Sequence, residues 1–281
     1  MKTWVALKYM IISTFSFTLM SATIKYLEDF NAFELVFFRC LGSLVLCIIY
    51  LWIKGIPILG NRRKLMIGRG IVGVISMVLF FAALKLMPLG TTISLRYLAP
   101  IFTAIFSIFL LKEKLIPIQW LFFFLSFAGV ILLKGIDLRV STVGLIMVLG
   151  AAMFSGLVYI FLRAIGPADH PVVIVNYFMV IATVVGAIGS INNWQQPEGY
   201  QWPLLFSLGI FGYLGQLYMT KAFQIEEANK VAPMKYLEAV FAIFVGWIWF
   251  GEGHSWLAII GMLMVIGGML MNIMVKKTSA A

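Results

Sequence analysis

Apolar segments of about twenty residues follow one another along the whole chain, cut apart by short stretches that hold its charges, prolines and loop residues. They lie near 8–27, 34–53, 70–87, 91–111, 117–134, 143–163, 171–191, 203–224, 228–250 and 256–275. A helix needs about 20 apolar residues to cross a bilayer, and hydrocarbon tolerates only segments that satisfy their own backbone. Ten such segments predict an all-α integral membrane protein with ten transmembrane helices. The chain is 62% hydrophobic and 11% charged, with a mean hydropathy of +1.03. Soluble domains are roughly half apolar and a quarter charged, so no water-soluble fold would hide this surface. The longest loops, roughly 54–69 and 192–202, are too short for a soluble domain.

The net charge of +10 invites a nucleic-acid reading, but the cations sit in short loops between apolar runs rather than on one face of a module. They are better explained as topology charge. Cys40 and Cys47 carry neither a disulfide nor a metal pattern. The first segment follows Lys2 without a small-x-small cleavage site before Lys25, which predicts a retained first helix. Lys and Arg in alternate loops divide fourteen against four, the minority being Lys25, Lys85, Lys134 and Arg139. The positive-inside rule then puts both termini in the cytoplasm, which requires an even number of spans. The outer loops, "EDFNAFE" and "NNWQQPEGYQW", are neutral to acidic as this orientation expects.

An internal repeat is the next signal. At a constant offset of 139, Arg96 falls on Lys235, Tyr97 on Tyr236, Leu98 on Leu237, Phe102 on Phe241, Glu113 on Glu252 and Gly129 on Gly268. Phe15-Ser16 falls on Phe154-Ser155 at the same offset. The expected division is 1–139 and 140–281, each with five helices. Five is odd, so the second unit enters the membrane in the opposite sense. Such inverted repeats are chiefly a transporter architecture, because two pseudo-symmetric halves supply alternating access by rocking.

The stretches "RYLAPIFTAIFSIFLLKEKLIPIQWLFFFLSFAGVIL" and "KYLEAVFAIFVGWIWFGEGHSWLAIIGMLMVIGGML" resemble the fourth–fifth and ninth–tenth helices of the EamA-type drug/metabolite transporter (DMT) superfamily. "FFRCLGS", with Arg39 early in the second helix, resembles it too, and the likeness covers essentially the whole chain. It implies ten helices, cytoplasmic termini and a central cavity carrying small organic solutes, often outward. One departure is Ala239 where Pro100 stands in the first copy, so the second copy lacks that helix-breaking residue.

Charges inside membrane helices are expensive and mark function by default. Arg39, Arg96, Lys235 and Glu238 lie well inside the apolar segments, whereas Lys25 is near a helix end and can snorkel. Arg96 is five residues in from the outer end of its segment, about 8 Å of rise, and Lys235 sits correspondingly near the inner end of its own. Related by the repeat, the two cations would guard opposite mouths of one cavity or hold an anionic group between them. Glu238, three residues after Lys235, is read either as its local ion-pair partner or as a proton-coupling carboxylate. Arg39 is a candidate second anion contact or a donor to carbonyls between helices. Tyr97 and Tyr236 are candidate stacking surfaces. Ser155, Tyr159, Asn176, Tyr177, Tyr213, Gln216 and Tyr218 form a polar set for which solute contact and interhelical hydrogen bonding stand equal. Glu113 and Glu252 close helices beside short loops, where holding the turn is the favoured role. Gly186, Gly189, Gly209, Gly212 and Gly215 are small-residue stripes that favour close helix approach.

Nothing here points to an enzyme. His170 and His254 fall in loops on opposite sides, and H-E-x-x-H, G-x-S-x-G and a phosphate loop are all missing from the sequence. The expectation is a secondary transporter in the plasma (inner) membrane without cofactor, metal or nucleic acid. Its partners are a small-molecule solute, membrane lipid and a proton as candidate coupling ion; monomer and homodimer stay open. The solute class is one with an anionic group: an amino acid, an organic acid, or a vitamin or nucleotide derivative. The expected direction is export or exchange. The alternative is a broad-specificity exporter of amphipathic drugs, and an intramembrane enzyme or a scaffold is the alternative of another class.

Overall fold

The computed structural model describes residues 2–111, 117–136, 140–165, 169–225, 234–235, 237–253 and 255–278. Among them there is no strand; the chain is helices joined by short turns. In order these are α1 (Lys2–Tyr26), α2 (Ala32–Ile53), α3 (Arg63–Leu86), α4 (Leu89–Arg96), α5 (Ala99–Leu111), α6 (Pro117–Ile136), α7 (Thr142–Ile165), α8 (Pro171–Ser190), α9 (Gln201–Ile225), α10 (Leu237–Phe250) and α11 (Trp256–Thr278). Among the described residues, α1, α2, α3, α7 and α8 carry apolar windows long enough to cross a membrane, with shorter apolar stretches in α6, α10 and α11.

Helix ends follow local chemistry. Asn31 caps α2 by accepting from the Phe33 and Glu34 N–H groups while Glu34 reaches back to the Asn31 N–H, which satisfies donors the helix itself leaves open. At the other end of α2, Gly55 takes φ +62, so its N–H meets Trp52 O and Ile56 N–H meets Leu51 O. Pro171 opens α8 at the position where a missing N–H costs nothing, and the His170 ring caps it.

The segment 91–111 was expected as one helix, and it is two. Pro100 has no N–H to give Arg96 and its ring would strike that carbonyl in a continuous helix. The chain turns tightly instead, through Tyr97 N–H to Ser94 O and Leu98 N–H to Leu95 O, before α5 resumes. In the segment 228–250 the described helix is α10 from Leu237 onward, with Met234 and Lys235 in a separate tight turn; Tyr236 and 226–233 lie outside the described residues. So do Lys112, Glu113, Lys114 and His254.

Ala32 and Pro171, the first residues of α2 and α8, stand 139 residues apart. Helices pack in corresponding pairs: α1 on α9 and α3 on α7, α1 on α10 and α7 on α5, α2 on α9 and α8 on α3. α2 packs on α8 and α6 on α11. Glycine permits the closest of these approaches: a Cβ on Gly209 would stand 2.8 Å from Gly42 Cα, and one on Gly268 would strike Ser126 and the Phe122 carbonyl. Hydroxyls then bond across the seams, Ser43 to Gly209 O (3.0 Å), Ser13 to Gly215 O (2.7 Å) and Ser126 to Val265 O (3.3 Å). The outward faces are apolar, as lipid requires: Phe124, Ile131, Trp247 and Ile248 are exposed, and the polar side chains Thr14, Thr18, Ser21, Thr91 and Thr92 are buried.

Candidate functional site

The break between α4 and α5 places Tyr97 against the start of α10. Its hydroxyl lies 2.6 Å from the Lys235 carbonyl oxygen and 3.2 Å from Glu238 Oε2. Glu238, in the first turn of α10, is buried, and Thr18 of α1 donates to its backbone carbonyl at 3.3 Å. Lys235 and Arg96, the last residue of α4, are both within electrostatic reach of the hydroxyl of Tyr159 on α7, Lys235 the more strongly. The Arg96 guanidinium stacks over the Phe80 ring of α3 at 4.2 Å. Tyr159 keeps 40% of its surface accessible although α3, α5 and the Lys235 turn surround it. The two cations therefore meet one hydroxyl, the arrangement suited to holding an anionic group between them.

The expected ion pair between Lys235 and Glu238 is a correction. Lys235 lies in a turn ahead of α10, so the three-residue spacing does not put both side chains on one helical face, and Glu238 is met by the Tyr97 hydroxyl. Among the described residues the ion pair is Lys25 Nζ to Glu252 Oε1, at 3.0 Å. Lys25 also donates to Met87 O at 2.7 Å. Both Glu252 oxygens accept the Leu89 N–H, at 3.1 and 2.9 Å, so a carboxylate from the end of α10 caps the N-terminus of α4. Gly251 at φ +59 turns the chain to let the Glu252 N–H close on Gly246 O.

The other expected positions separate. Arg39 is buried on α2 with its Nη1 near Cys40 Sγ, Met77 Sδ and Met179 Sδ. Ser155 meets Ser76 at 2.8 Å, an interhelical bond between α7 and α3. Asn176 is buried on α8. Tyr213 is near Cys47 and Tyr50 of α2, Gln216 is half-buried on α9, and Tyr177 packs at the α2–α8 end with Leu51 and Ile174. Tyr218 packs against Tyr9 with the two rings tilted at 49°. Arg69 stands one residue before the apolar segment 70–87 and so reads from sequence as a loop charge. α3 begins at Arg63, which carries Arg69 nearly two turns inward, and it is buried. The break after Arg63-Lys64 into "LMIG" was the available signal. The Lys25–Glu252 contact had none, since 227 residues separate its partners.

Loop ties complete the frame. Asp169 accepts from the Asn61 and Arg62 backbone N–H groups at 2.5 and 3.0 Å, and Glu34 accepts from Gln195 N–H at 2.5 Å.

Comparison with known proteins bears on the whole chain. The model of the EamA-like transporter family matches residues 4–134 and again 142–274. Solute carrier family 35 member G1 of Homo sapiens is 30% identical, over 92% of this chain and 76% of its own. The pseudopaline exporter CntI of Pseudomonas aeruginosa is 28% identical over 91% of each chain. An S-adenosylmethionine uptake transporter of Rickettsia felis is 27% identical over 90% of this chain and 87% of its own. A protein of known crystal structure superposes with a TM-score of 0.67 over 98% of this chain and 99% of that one, at 17% identity; the fold is shared.

Proposed function

The chain belongs to the EamA-like transporter family, a multi-pass membrane transporter of small metabolites and not an enzyme, and from that premise we propose how it works. It is a secondary transporter of a small organic solute with an anionic group, an amino acid, organic acid, or vitamin or nucleotide derivative. Ten transmembrane helices form two inverted five-helix halves, 1–139 and 140–281, that rock to give alternating access. Three observations support that arrangement: the 139-residue spacing of the α2 and α8 starts, the corresponding packing pairs and the double family match. Both termini are cytoplasmic in the plasma membrane, and transport is export or exchange.

The observation that carries the solute class is the convergence of Lys235 and Arg96 on Tyr159, beside Tyr97 and Glu238. An anionic group entering there replaces water around two cations with fixed donors, and the half-helix ends on either side of the Tyr97 turn give the site a way to deform. Glu238 is the candidate carrier if a proton is coupled, with Lys235, Arg96, Tyr97 and Tyr159 as the groups around it. The test is flux of a panel of anionic metabolites in sealed vesicles holding only this protein. Arg96→Ala and Lys235→Ala, each confirmed as folded, are expected to lower flux at least about tenfold; unchanged flux in both overturns the reading. Imposing a pH gradient on the same vesicles reads the coupling.

A broad-specificity exporter of amphipathic compounds is the second reading, favoured by Phe80 beneath Arg96. Flux of a neutral amphipathic dye that Arg96→Ala leaves intact would select it.

A further inference from the structure

Away from the Arg96–Lys235 cluster, two more guanidinium groups stand inside the helix bundle. Arg39 is 3% exposed and Arg69 8% exposed. Arg39 lies about two turns into α2 and Arg69 nearly two turns into α3, so both are within the membrane-spanning lengths of their helices. The two charges are close enough to repel each other. Both stand over one ring, that of Phe178 on α8, at 5.7 Å for Arg39 and 4.4 Å for Arg69.

What these groups lack matters as much. Among the described residues neither arginine has a carboxylate partner. Arg39 Nε, Arg69 Nε and Arg69 Nη1 are buried donors without an acceptor. The Arg39 Nη1 contacts are three sulfurs, at 3.3, 3.2 and 3.8 Å, and sulfur is a weak acceptor. An aromatic face attracts a cation but accepts none of its in-plane N–H bonds. Buried polar groups left unpaired call for an explanation, and buried like charges more so. A structural arginine pair would be expected to find carbonyls or a carboxylate; this one leaves three of its guanidinium nitrogens without an acceptor. A guanidinium fork matches an oxyanion with two parallel bonds, which a lysine cannot copy. The pair also adjoins the first cluster, since Arg69 is within electrostatic reach of the Tyr159 hydroxyl that Lys235 and Arg96 share.

We propose that Arg39 and Arg69, gathered over Phe178, form a second anion subsite that takes one oxyanion group, a carboxylate or a phosphate. Its place on a solute path rests on the transporter reading above; the binding itself does not. A solute with two anionic groups would engage both clusters, and a smaller oxyanion would occupy this one alone.

The test is thermal unfolding of the purified full-length chain, in a background of Arg96→Ala with Lys235→Ala so that the first cluster cannot contribute. Sodium acetate or inorganic phosphate is titrated against sodium chloride at matched ionic strength. A saturable rise of several degrees with either oxyanion, absent with chloride, is expected. A rise with acetate only assigns a carboxylate, and a rise with phosphate only assigns a phosphate. Adding Arg39→Gln or Arg69→Gln is expected to abolish the rise. No oxyanion-specific rise in that background, an equal rise with chloride, or a rise that survives both added substitutions overturns the subsite, whatever the flux experiment gives. Should the glutamine variants or the background not fold, they are replaced, in a background of Arg96→Gln with Lys235→Gln that still silences the first cluster, by Arg39→Lys and Arg69→Lys. These keep the charge and lose the fork, and half-saturation is expected to weaken about tenfold; unchanged half-saturation in both overturns the proposal.

Discussion

Glu252 holds two structural debts at once, the charge of Lys25 and the open N–H of Leu89 at the head of α4. Glu252→Ala leaves Lys25, whose side chain is 15% exposed, as an unpaired cation, and removing one partner of a buried pair costs about 3–5 kcal/mol. Glu252→Gln keeps an acceptor for Leu89 and loses only the charge, so its loss is expected to be smaller. Unfolding of both variants in the same detergent checks the order, and equal losses would locate the whole effect in the charge pair with Lys25. Residues of this kind are half legible in sequence. Glu252 attracted notice because Glu113 repeats it at the same offset. Its partner Lys25 did not, because contacts across 227 residues leave no spacing to read. Arg39 was visible as a charge in a long apolar run, but Arg69 hid behind Arg62, Arg63 and Lys64. A charge beside a basic loop looks like topology until the helix start is known.

Among elements, the α4–α5 break is the feature with most to do. It needs no unusual backbone, only the loss of the bond that Pro100 cannot donate. Pro100→Ala restores that donor, and α4 and α5 are expected to fuse towards one helix. Fusion carries the Tyr97 hydroxyl away from Lys235 O and Glu238. The expected outcome is an unchanged or higher melting temperature with flux lowered about tenfold, read on the same preparation. Native flux at higher stability would show the break to be incidental. The all-helical membrane class could be read directly, since hydrophobic length decides which stretches can cross lipid, as α1, α2, α3, α7 and α8 can. The break could not be placed from pattern, because apolar periodicity runs straight through it, and a proline in an apolar run reads either as a kink or as an end. The Lys235–Glu238 pairing failed for the same reason: a rule for continuous helices was applied across a turn.

At the scale of the whole molecule, the first five segments and the last five are interleaved rather than docked side by side. α1 packs on α9 and α10, α3 on α7 and α8, and α2 on α8 and α9. Residues 1–139 alone would leave the α1, α2 and α3 faces without partners, and are expected to be degraded when produced by themselves. Produced together with 140–281, they are expected to co-purify and to restore flux in vesicles; a protease-resistant first half on its own would contradict the interleaving. The same arrangement sets a schedule for synthesis. Arg39 meets Met179 across 140 residues, Ser13 meets Gly215 across 202 and Thr18 meets Glu238 across 220. At roughly 5–20 residues per second, each newly inserted polar group waits on the order of ten seconds or more before its acceptor leaves the ribosome. During that wait a guanidinium and several hydroxyls sit in or beside the bilayer without their final contacts. Thr18 bonds Thr14 O within its own helix in that interval, so Arg39 is the group for which the wait is costly.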